Sequence, residues 1–98
     1  MSVVIDLHLK AKDAENYKKL YETLQAILPD TAKYDGAELI SCSADEASLT
    51  FIVHEVWETL GHQQAYIGWR QERGDVDALV AMLGEPPNFV QREHVSLG

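Results

Sequence analysis

The residues best suited to chemistry lie in one stretch, residues 50–73, with the sequence TFIVHEVWETLGHQQAYIGWRQER. It contains both tryptophans of the chain, two of its four histidines and two arginines. Imidazole titrates near neutral pH, so His54 and His62 are candidate general bases. Glu55 shares a strand face with Trp57; if that face is buried, the carboxyl needs a partner, has a raised pKa and is a further candidate base.

The same stretch supplies candidate hydrogen-bond donors. A phenol, an indole N–H group and a guanidinium can each hold a substrate oxygen and stabilise negative charge that develops on it. We predict a site with no metal, in which the catalytic residues are His62, Trp57 and Tyr66 and the substrate-binding residues are Trp69, Arg70, His54 and Glu55.

A strand followed by a helix is expected to position these side chains. Residues 50–57 are rich in strand-forming types, and Thr59 can cap a helix that begins near Leu60. At about 100° per residue, one arc of the helix carries an aromatic and titratable set, which we expect to face inward as a pocket wall. That set is His62, Ala65, Tyr66, Trp69 and Arg73; the opposite side carries Leu60, Gln64, Ile67 and Gln71. The alternative is that these side chains half-cover the sheet with their polar tips in water.

The composition restricts the class of protein. A chain of 98 residues is expected to form one domain, residues 1–98, and a net charge of −8 disfavours nucleic acid and anionic membranes as partners. No apolar run approaches the roughly 20 residues that span a bilayer, and the N-terminus lacks a signal-peptide pattern, so we expect a cytoplasmic protein. The single cysteine, Cys42, is expected to be a small buried side chain in a strand.

The remaining elements follow from periodicity. Residues 3–10 alternate as a strand. Asp13 can cap a helix, and apolar residues at three- and four-residue steps after it predict a helix that ends or kinks near Pro29. Strands over residues 37–43 and 49–57 form a hairpin, a short helix follows Gly74, and residues 89–95 alternate as a last strand. The order β-α-β-β-α-(α)-β predicts a ferredoxin-like α+β subunit, with helices on one face of an antiparallel sheet.

Two consequences follow from this topology. The crossover rule leads us to expect the first and third strands as parallel neighbours. The face of the sheet that lacks helices would expose an apolar patch of Val4, Ile40, Ile52 and Val56. A second copy stacked on that face would cover it, so we expect a homodimer.

The stretch Glu55-Val56-Trp57-Glu58-Thr59, followed by an aromatic-rich helix, resembles the antibiotic biosynthesis monooxygenase family. The Tyr34-Asp35-Gly36 turn before the second strand also resembles that family, and the resemblance covers residues 3–95. It implies a dimeric α+β barrel with a pocket between sheet and helices, and a Trp57 that contacts substrate. Some members oxygenate phenols or quinols with no metal or flavin cofactor.

The match to the family is uneven. The position nine residues after Trp57, where members often carry a histidine, is Tyr66, and the asparagine that quinone-forming members place four residues before the tryptophan is Val53. The first strand has no asparagine, which disfavours haem degradation. We therefore expect a cofactor-independent monooxygenase that takes a small aromatic phenol or quinol and O₂. The alternatives are a dimeric protein that binds a small ligand without turnover, and an isomerase or lyase on the same fold.

Overall fold

A four-stranded antiparallel sheet organises the chain. The computed structural model describes residues 2–97. The strands are β1 (Val3–Lys10), β2 (Ala37–Asp45), β3 (Thr50–Trp57) and β4 (Asn88–Glu93), in the spatial order β2-β3-β1-β4. Strand β1 pairs antiparallel with both β3 and β4, with Val3 opposite Trp57 and Lys10 opposite Thr50. The predicted ferredoxin-like α+β fold is confirmed.

Three helices lie on one face of the sheet. They are α1 (Ala14–Thr31), α2 (Leu60–Glu72) and α3 (Asp75–Val80). Both predicted caps are present, because Asp13 accepts from the backbone N–H of Asn16 and Thr59 accepts from that of His62. No helix within residues 2–97 is both long and apolar enough to cross a membrane.

The core fills the space between the sheet and the helices. Strand β3 alternates strictly, so Phe51, Val53, Glu55 and Trp57 are buried towards the helices and the intervening residues lie on the outer face. Aliphatic residues of β1 and α1 pack around Phe51 and Val53, whereas Ile5, Trp57 and Tyr66 form a second cluster at the other end of β3. Glu55 is therefore a carboxyl placed by strand alternation at the junction of the two clusters.

The strand neighbours differ from one expectation. The first and third strands are neighbours, as expected, but they run antiparallel. The prediction of parallel neighbours was wrong because the right-handed crossover relates β1 to β2, and β3 lies between those two strands. The neighbour of β1 is thus β3, the second strand of the β2–β3 hairpin, and it runs antiparallel to β1.

Two local expectations were also wrong. Cys42 is exposed, because β2 is an edge strand that α1 does not cover. Ile40 pairs with Glu55 and so lies on the helix face, whereas Leu39 pairs with Val56 and takes its place on the outer face. Helix α1 does not end at Pro29 but continues to Thr31, since a proline in the last turn interrupts few helical hydrogen bonds.

Candidate active site

A buried carboxyl forms the centre of the candidate site. Glu55 is 3% exposed, and the indole Nε1 of Trp57, itself fully buried, donates to its Oε1 over 2.8 Å. Burial raises the pKa of Glu55, and the Trp57 hydrogen bond and the nearby His54 oppose that rise less strongly. Glu55 is the candidate base that the sequence analysis made conditional on burial, and the structure meets that condition.

The second carboxyl oxygen of Glu55 has hydrogen-bonding capacity to spare. Of the two carboxyl oxygens of Glu55, only Oε1 has a hydrogen-bond partner among residues 2–97. Every fully enclosed side-chain oxygen or nitrogen in that range has a partner, so Oε2 is not fully enclosed. Glu55 lines a cavity of about 70 Å³ between the sheet and the three helices.

The walls of this cavity are mostly aliphatic. Side chains from β1, β3 and all three helices contribute, among them Leu7, Leu24, Leu28, Val53 and Leu79. The polar lining consists of Glu55, Thr31, Tyr66, Arg70 and Asp75. A cavity of this size holds about two water molecules, since a water occupies roughly 30 Å³ in the liquid.

A directed chain of hydrogen bonds fixes the phenol of Tyr66. The Thr31 hydroxyl donates to the carbonyl of Ile27 over 3.1 Å, so its oxygen can only accept from the hydroxyl of Tyr66. The Tyr66 oxygen in turn accepts from Nε of Arg70 over 2.8 Å. The single proton of Tyr66 is thus directed at Thr31 and away from the cavity.

Arg70 is the buried cation of the site. It is 6% exposed, and its Nη1 donates to Asp75 over 2.9 Å while Nη2 donates to the carbonyl of Ile27 over 3.3 Å. Arg70 therefore joins the end of α1 to α2 and to the start of α3. Because Asp75 balances its charge, the guanidinium acts as a tie between helices and leaves little positive potential for an anion.

Helix α2 is rotated relative to the expected orientation. Its buried residues are Gln63, Tyr66 and Arg70, whereas Ala65 and Arg73 are exposed. The inward arc lies roughly 70° from the predicted one, at 100° per residue. Tyr66 is shared by the two arcs, which is why the prediction found it.

His62 lies at the start of α2, packed against the turn before β2. Its Nδ1 contacts the hydroxyl of Thr59 at 2.7 Å, and its Nε2 is 3.8 Å from the carboxylate of Asp35. A Cβ placed on Gly36 would come within 2.3 Å of the His62 ring. His62 does not line the cavity beside Glu55.

His54 lies on the outer face of the sheet. Its Nδ1 is 2.6 Å from Asp6, and Arg92 donates to the other oxygen of that carboxylate over 2.8 Å. These two partners lower the pKa of Asp6, His54 more than Arg92. The structure thus places His54 on the opposite side of the sheet from Glu55 and Tyr66.

The two tryptophans occupy different environments. Trp57 packs against Tyr66, with ring centroids 5.3 Å apart, and fills the second core cluster. Trp69 is 37% exposed, and the guanidinium groups of Arg70 and Arg73 stack on it at 4.7 and 4.9 Å. Neither indole lines the cavity. The structure therefore brings together Glu55, Tyr66 and Arg70 around the cavity, with Trp57 behind Glu55.

Sequence reasoning missed Thr31, which belongs to the Arg70–Tyr66 network but is of a residue type common at an ordinary helix end. Asp75 is a partner that the sequence offers to Arg70 or Arg73 at the surface, but nothing in the sequence predicts that the paired Arg70 is buried. Within residues 2–97 no group of three or more His, Cys, Asp or Glu side chains is placed to hold a metal ion.

Several solved structures share this fold over nearly the whole chain. One from Deinococcus radiodurans, described provisionally as an antibiotic biosynthesis monooxygenase, has 22% identity and a TM-score of 0.80, with 98% of this chain and 94% of that chain covered. A Mycobacterium tuberculosis protein has 11% identity and a TM-score of 0.85, with 98% and 97% covered.

A third structure holds a ligand. It is a monooxygenase from Streptomyces coelicolor in complex with nanaomycin D, with 15% identity and a TM-score of 0.73, and 99% of this chain and 93% of that chain are covered. No protein-family model and no curated protein sequence matches the chain. At these identities the likeness establishes the fold, and the resemblance predicted from the E-x-W-E-T stretch is confirmed at that level.

Proposed function

We propose that the chain is a cofactor-independent monooxygenase of a small aromatic phenol or quinol, with Glu55 as its proton acceptor. The observation that carries the proposal is the buried carboxyl of Glu55, which lines an interior cavity while one of its oxygens is held by Trp57. The shared fold with a monooxygenase that binds nanaomycin D supports the same assignment.

The proposed reaction begins with proton transfer to Glu55. Oε2 takes the hydroxyl proton of the substrate, and the resulting phenolate is electron-rich enough to reduce O₂ directly. A phenol with a ring hydrogen opposite its hydroxyl then reacts with one O₂ to give a quinone and one water. The substrate loses four electrons; one oxygen atom becomes the new carbonyl and the other leaves as water with the two substrate hydrogens.

The environment of Glu55 favours its role as a base. Burial disfavours the ionised form and raises its pKa, so an ionised Glu55 takes a proton more readily than an exposed carboxylate does. Trp57 acts as a positioning residue, because its N–H holds Oε1 and leaves Oε2 to receive the proton. Tyr66 and Arg70 fix the helices around the cavity, since their own hydrogen bonds are already committed.

Oxygen consumption tests the proposal. The purified, metal-free protein is mixed with 1-naphthol or with anthrone, and O₂ uptake is followed with an electrode. We expect uptake above the uncatalysed rate for at least one compound, and a fall of about 10²–10⁴-fold in Glu55→Gln, the range that a general base contributes. The matched control is Glu58→Gln, which changes an exposed glutamate directly after the end of β3.

Three outcomes would change the assignment. Uptake that survives Glu55→Gln but is lost in His62→Ala would move the base to His62. Tight binding of these compounds with no uptake would favour a ligand-binding protein. Proton exchange at a substrate carbon with no uptake would favour an isomerase, which needs only the carboxyl.

We also propose that two copies pair through the outer face of the sheet. Leu39 is 51% exposed there, and Val4, Ile52, Val56 and Val90 stay only half-buried in the single subunit. Two copies stacked face to face would remove this apolar surface from water. The Asp6–His54–Arg92 cluster on the same face is charge-paired, which lowers the cost of covering it.

A further inference from the structure

A second and larger hollow adjoins the interior cavity. It is an open groove of about 500 Å³ between α1 and the edge strand β2. Tyr21 and Leu28 line it from the helix, while Cys42 and Ala44 line it from the strand. The groove exists because β2 extends beyond the cover of α1, which leaves the helix-side face of β2 exposed.

Two leucines separate the groove from the cavity. Leu24 and Leu28 line both spaces, so each presents one side to the groove and the other to the cavity that holds Glu55. They lie one turn apart on α1, directly before Pro29. Proline lacks an N–H, so this turn is missing the helical hydrogen bond to the carbonyl of Gln25 and is held less firmly than the rest of α1.

The cavity alone is too small for the proposed substrate. An apolar cavity of about 150 Å³ accommodates a benzene molecule, and pockets for drug-sized ligands are roughly 300–1,000 Å³. At about 70 Å³ the cavity admits only a hydroxyl-bearing edge of a ring, whereas the groove at about 500 Å³ lies in the range for a whole ligand. The unpaired Oε2 of the buried Glu55 then marks the polar end of the combined space.

We propose that the groove and the cavity are two halves of one ligand site. This proposal rests on the proposed function. The site takes an extended, planar, uncharged molecule, whose ring system lies in the groove and whose hydroxyl edge passes between Leu24 and Leu28 towards Glu55. The helix α1 side chains at this wall determine how far the edge enters.

The lining of the groove determines the class of ligand. Tyr21 lines the groove, is 46% exposed and is held edge-on against the buried ring of Phe51 at a centroid distance of 5.9 Å, so an aromatic surface forms one end. Planar rings pack well on such a surface. Within residues 2–97 no charged side chain lines the groove, and the chain carries a net charge of −8; both facts disfavour an anionic ligand.

Cys42 provides a direct reporter for occupancy. It is the only cysteine, it is exposed, and it lines the groove, so its alkylation by N-ethylmaleimide measures access to that space. The probe is 1,8-dihydroxyanthraquinone, which is planar and uncharged and whose quinone ring is fully substituted. We expect saturating probe to slow the alkylation of Cys42 at least about tenfold, as for a site that is almost fully occupied. An unchanged rate at saturation would overturn the proposal.

A matched pair of substitutions tests the location. Ala44→Trp fills the groove, whereas Ala26→Trp places the same side chain on an exposed position of α1 that lines neither space. By calorimetry, Ala44→Trp should weaken binding of the probe at least about tenfold and Ala26→Trp should leave it unchanged. Equal affinity in the two variants would place the ligand elsewhere and overturn the proposal.

The outcomes separate this proposal from the enzymatic one. If the probe protects Cys42 but no phenol supports O₂ uptake, the site stands and the monooxygenase assignment fails. If Glu55-dependent uptake proceeds equally in Ala44→Trp and the wild type, the monooxygenase stands and the two-part site fails.

Discussion

The indole N–H of Trp57 and the carboxyl of Glu55 are joined by a hydrogen bond of 2.8 Å between side chains two residues apart on one face of β3. Strand alternation buries both, so the carboxyl enters the core together with its donor. The bond satisfies one oxygen of Glu55 and orients the other. It thus explains how a carboxyl can lie in an apolar interior and still be available to a ligand.

The first prediction concerns stability against pH. In the unfolded chain Glu55 titrates near its usual value of about 4.3, whereas burial raises its pKa in the folded protein. Between these two values the folded state binds more protons, so the stability that Glu55 contributes is complete below the unfolded pKa and is lost as pH rises through the folded pKa. Glu55→Gln cannot titrate. We expect its melting temperature, relative to the wild type, to rise as the pH increases above the unfolded pKa of about 4.3 and to level off above the raised folded pKa.

The control for this experiment is Glu58→Gln, which changes an exposed glutamate next to the same strand. Its difference from the wild type should stay nearly constant over the same pH range. A flat difference for Glu55→Gln as well would mean that Glu55 titrates normally in the folded protein, and the proposed base would lose its physical basis.

The second prediction concerns the contact between Gly36 and His62. Gly36 has a φ of +87°, and a Cβ there would lie 2.3 Å from the His62 ring. Gly36→Ala should lose about 1–2 kcal/mol from the left-handed backbone and about 1–3 kcal/mol from the clash. Urea unfolding measures the loss.

Gly74→Ala separates the two contributions. Gly74 has a φ of +83°, but nothing lies within 4 Å of a Cβ built there, so only the backbone cost of about 1–2 kcal/mol applies. Adding His62→Gly to Gly36→Ala removes both the ring and the Cβ of His62, which lie 2.3 and 2.5 Å from the added Cβ, and should recover the steric part, less the roughly 0.5–1 kcal/mol that a glycine costs inside a helix. A double variant no more stable than Gly36→Ala would show that His62 does not pack against this turn.

The sequence predicted the elements better than the site. Alternation in β3, the caps at Asp13 and Thr59 and the element order depend on local patterns, and the structure has all of them. The inward face of α2 depends on which side chains find partners elsewhere in the fold. Arg70 is buried because Asp75 and the end of α1 satisfy it, and no pattern within α2 contains that information.

The cavity was equally hidden from the sequence. We expected indole and imidazole in its wall, because aromatic residues are concentrated around β3 and α2. Instead Trp57 fills core volume, His62 packs on a turn, and aliphatic residues from five elements surround Glu55. A cavity depends on what the packed elements leave unfilled, and residues far apart in the chain determine that.

The third prediction concerns the ion pair of Arg70 with Asp75. Removing one partner of a buried pair costs about 3–5 kcal/mol, but the Asp75 side chain is 32% exposed, so water offsets part of the loss and we expect about 1–2 kcal/mol for Asp75→Asn at pH 7. The hydrogen bond from Arg70 is the largest cause that lowers the pKa of Asp75. The stabilisation is therefore present above the usual value of about 3.9 and is lost as pH falls through the lower folded pKa.

Asp77→Asn is the control, because Asp77 lies in the same first turn of α3 and is exposed. Both variants remove a negative charge near the helix N-terminus, so their difference isolates the contacts that Asp75 makes with Arg70 over 2.9 Å and with the exposed Arg73 over 3.1 Å. That difference should be clear at pH 7 and should shrink as the pH falls below the usual carboxyl pKa of about 3.9 and through the lowered folded pKa. Equal unfolding curves at pH 7 would mean that Arg70 does not depend on Asp75.

The fourth prediction concerns the proposed pairing of two copies. Ile52 lies in β3, opposite His8 on one side and Ser43 on the other, and so stands near the middle of the outer face. A glutamate there would place two like charges in the covered interface, where each lacks a partner, and burial of an unpaired charge is strongly unfavourable. We expect the wild type to have the mass of a dimer by light scattering and Ile52→Glu to have that of a monomer.

Gln64→Glu adds the same charge at an exposed position of α2, away from that face, and should leave the dimer intact. A wild-type monomer at micromolar concentration would refute the pairing, whereas a dimer that persists in Ile52→Glu would place the interface on another surface. Neither result would alter the assignment of Glu55, which lies on the helix side of the sheet.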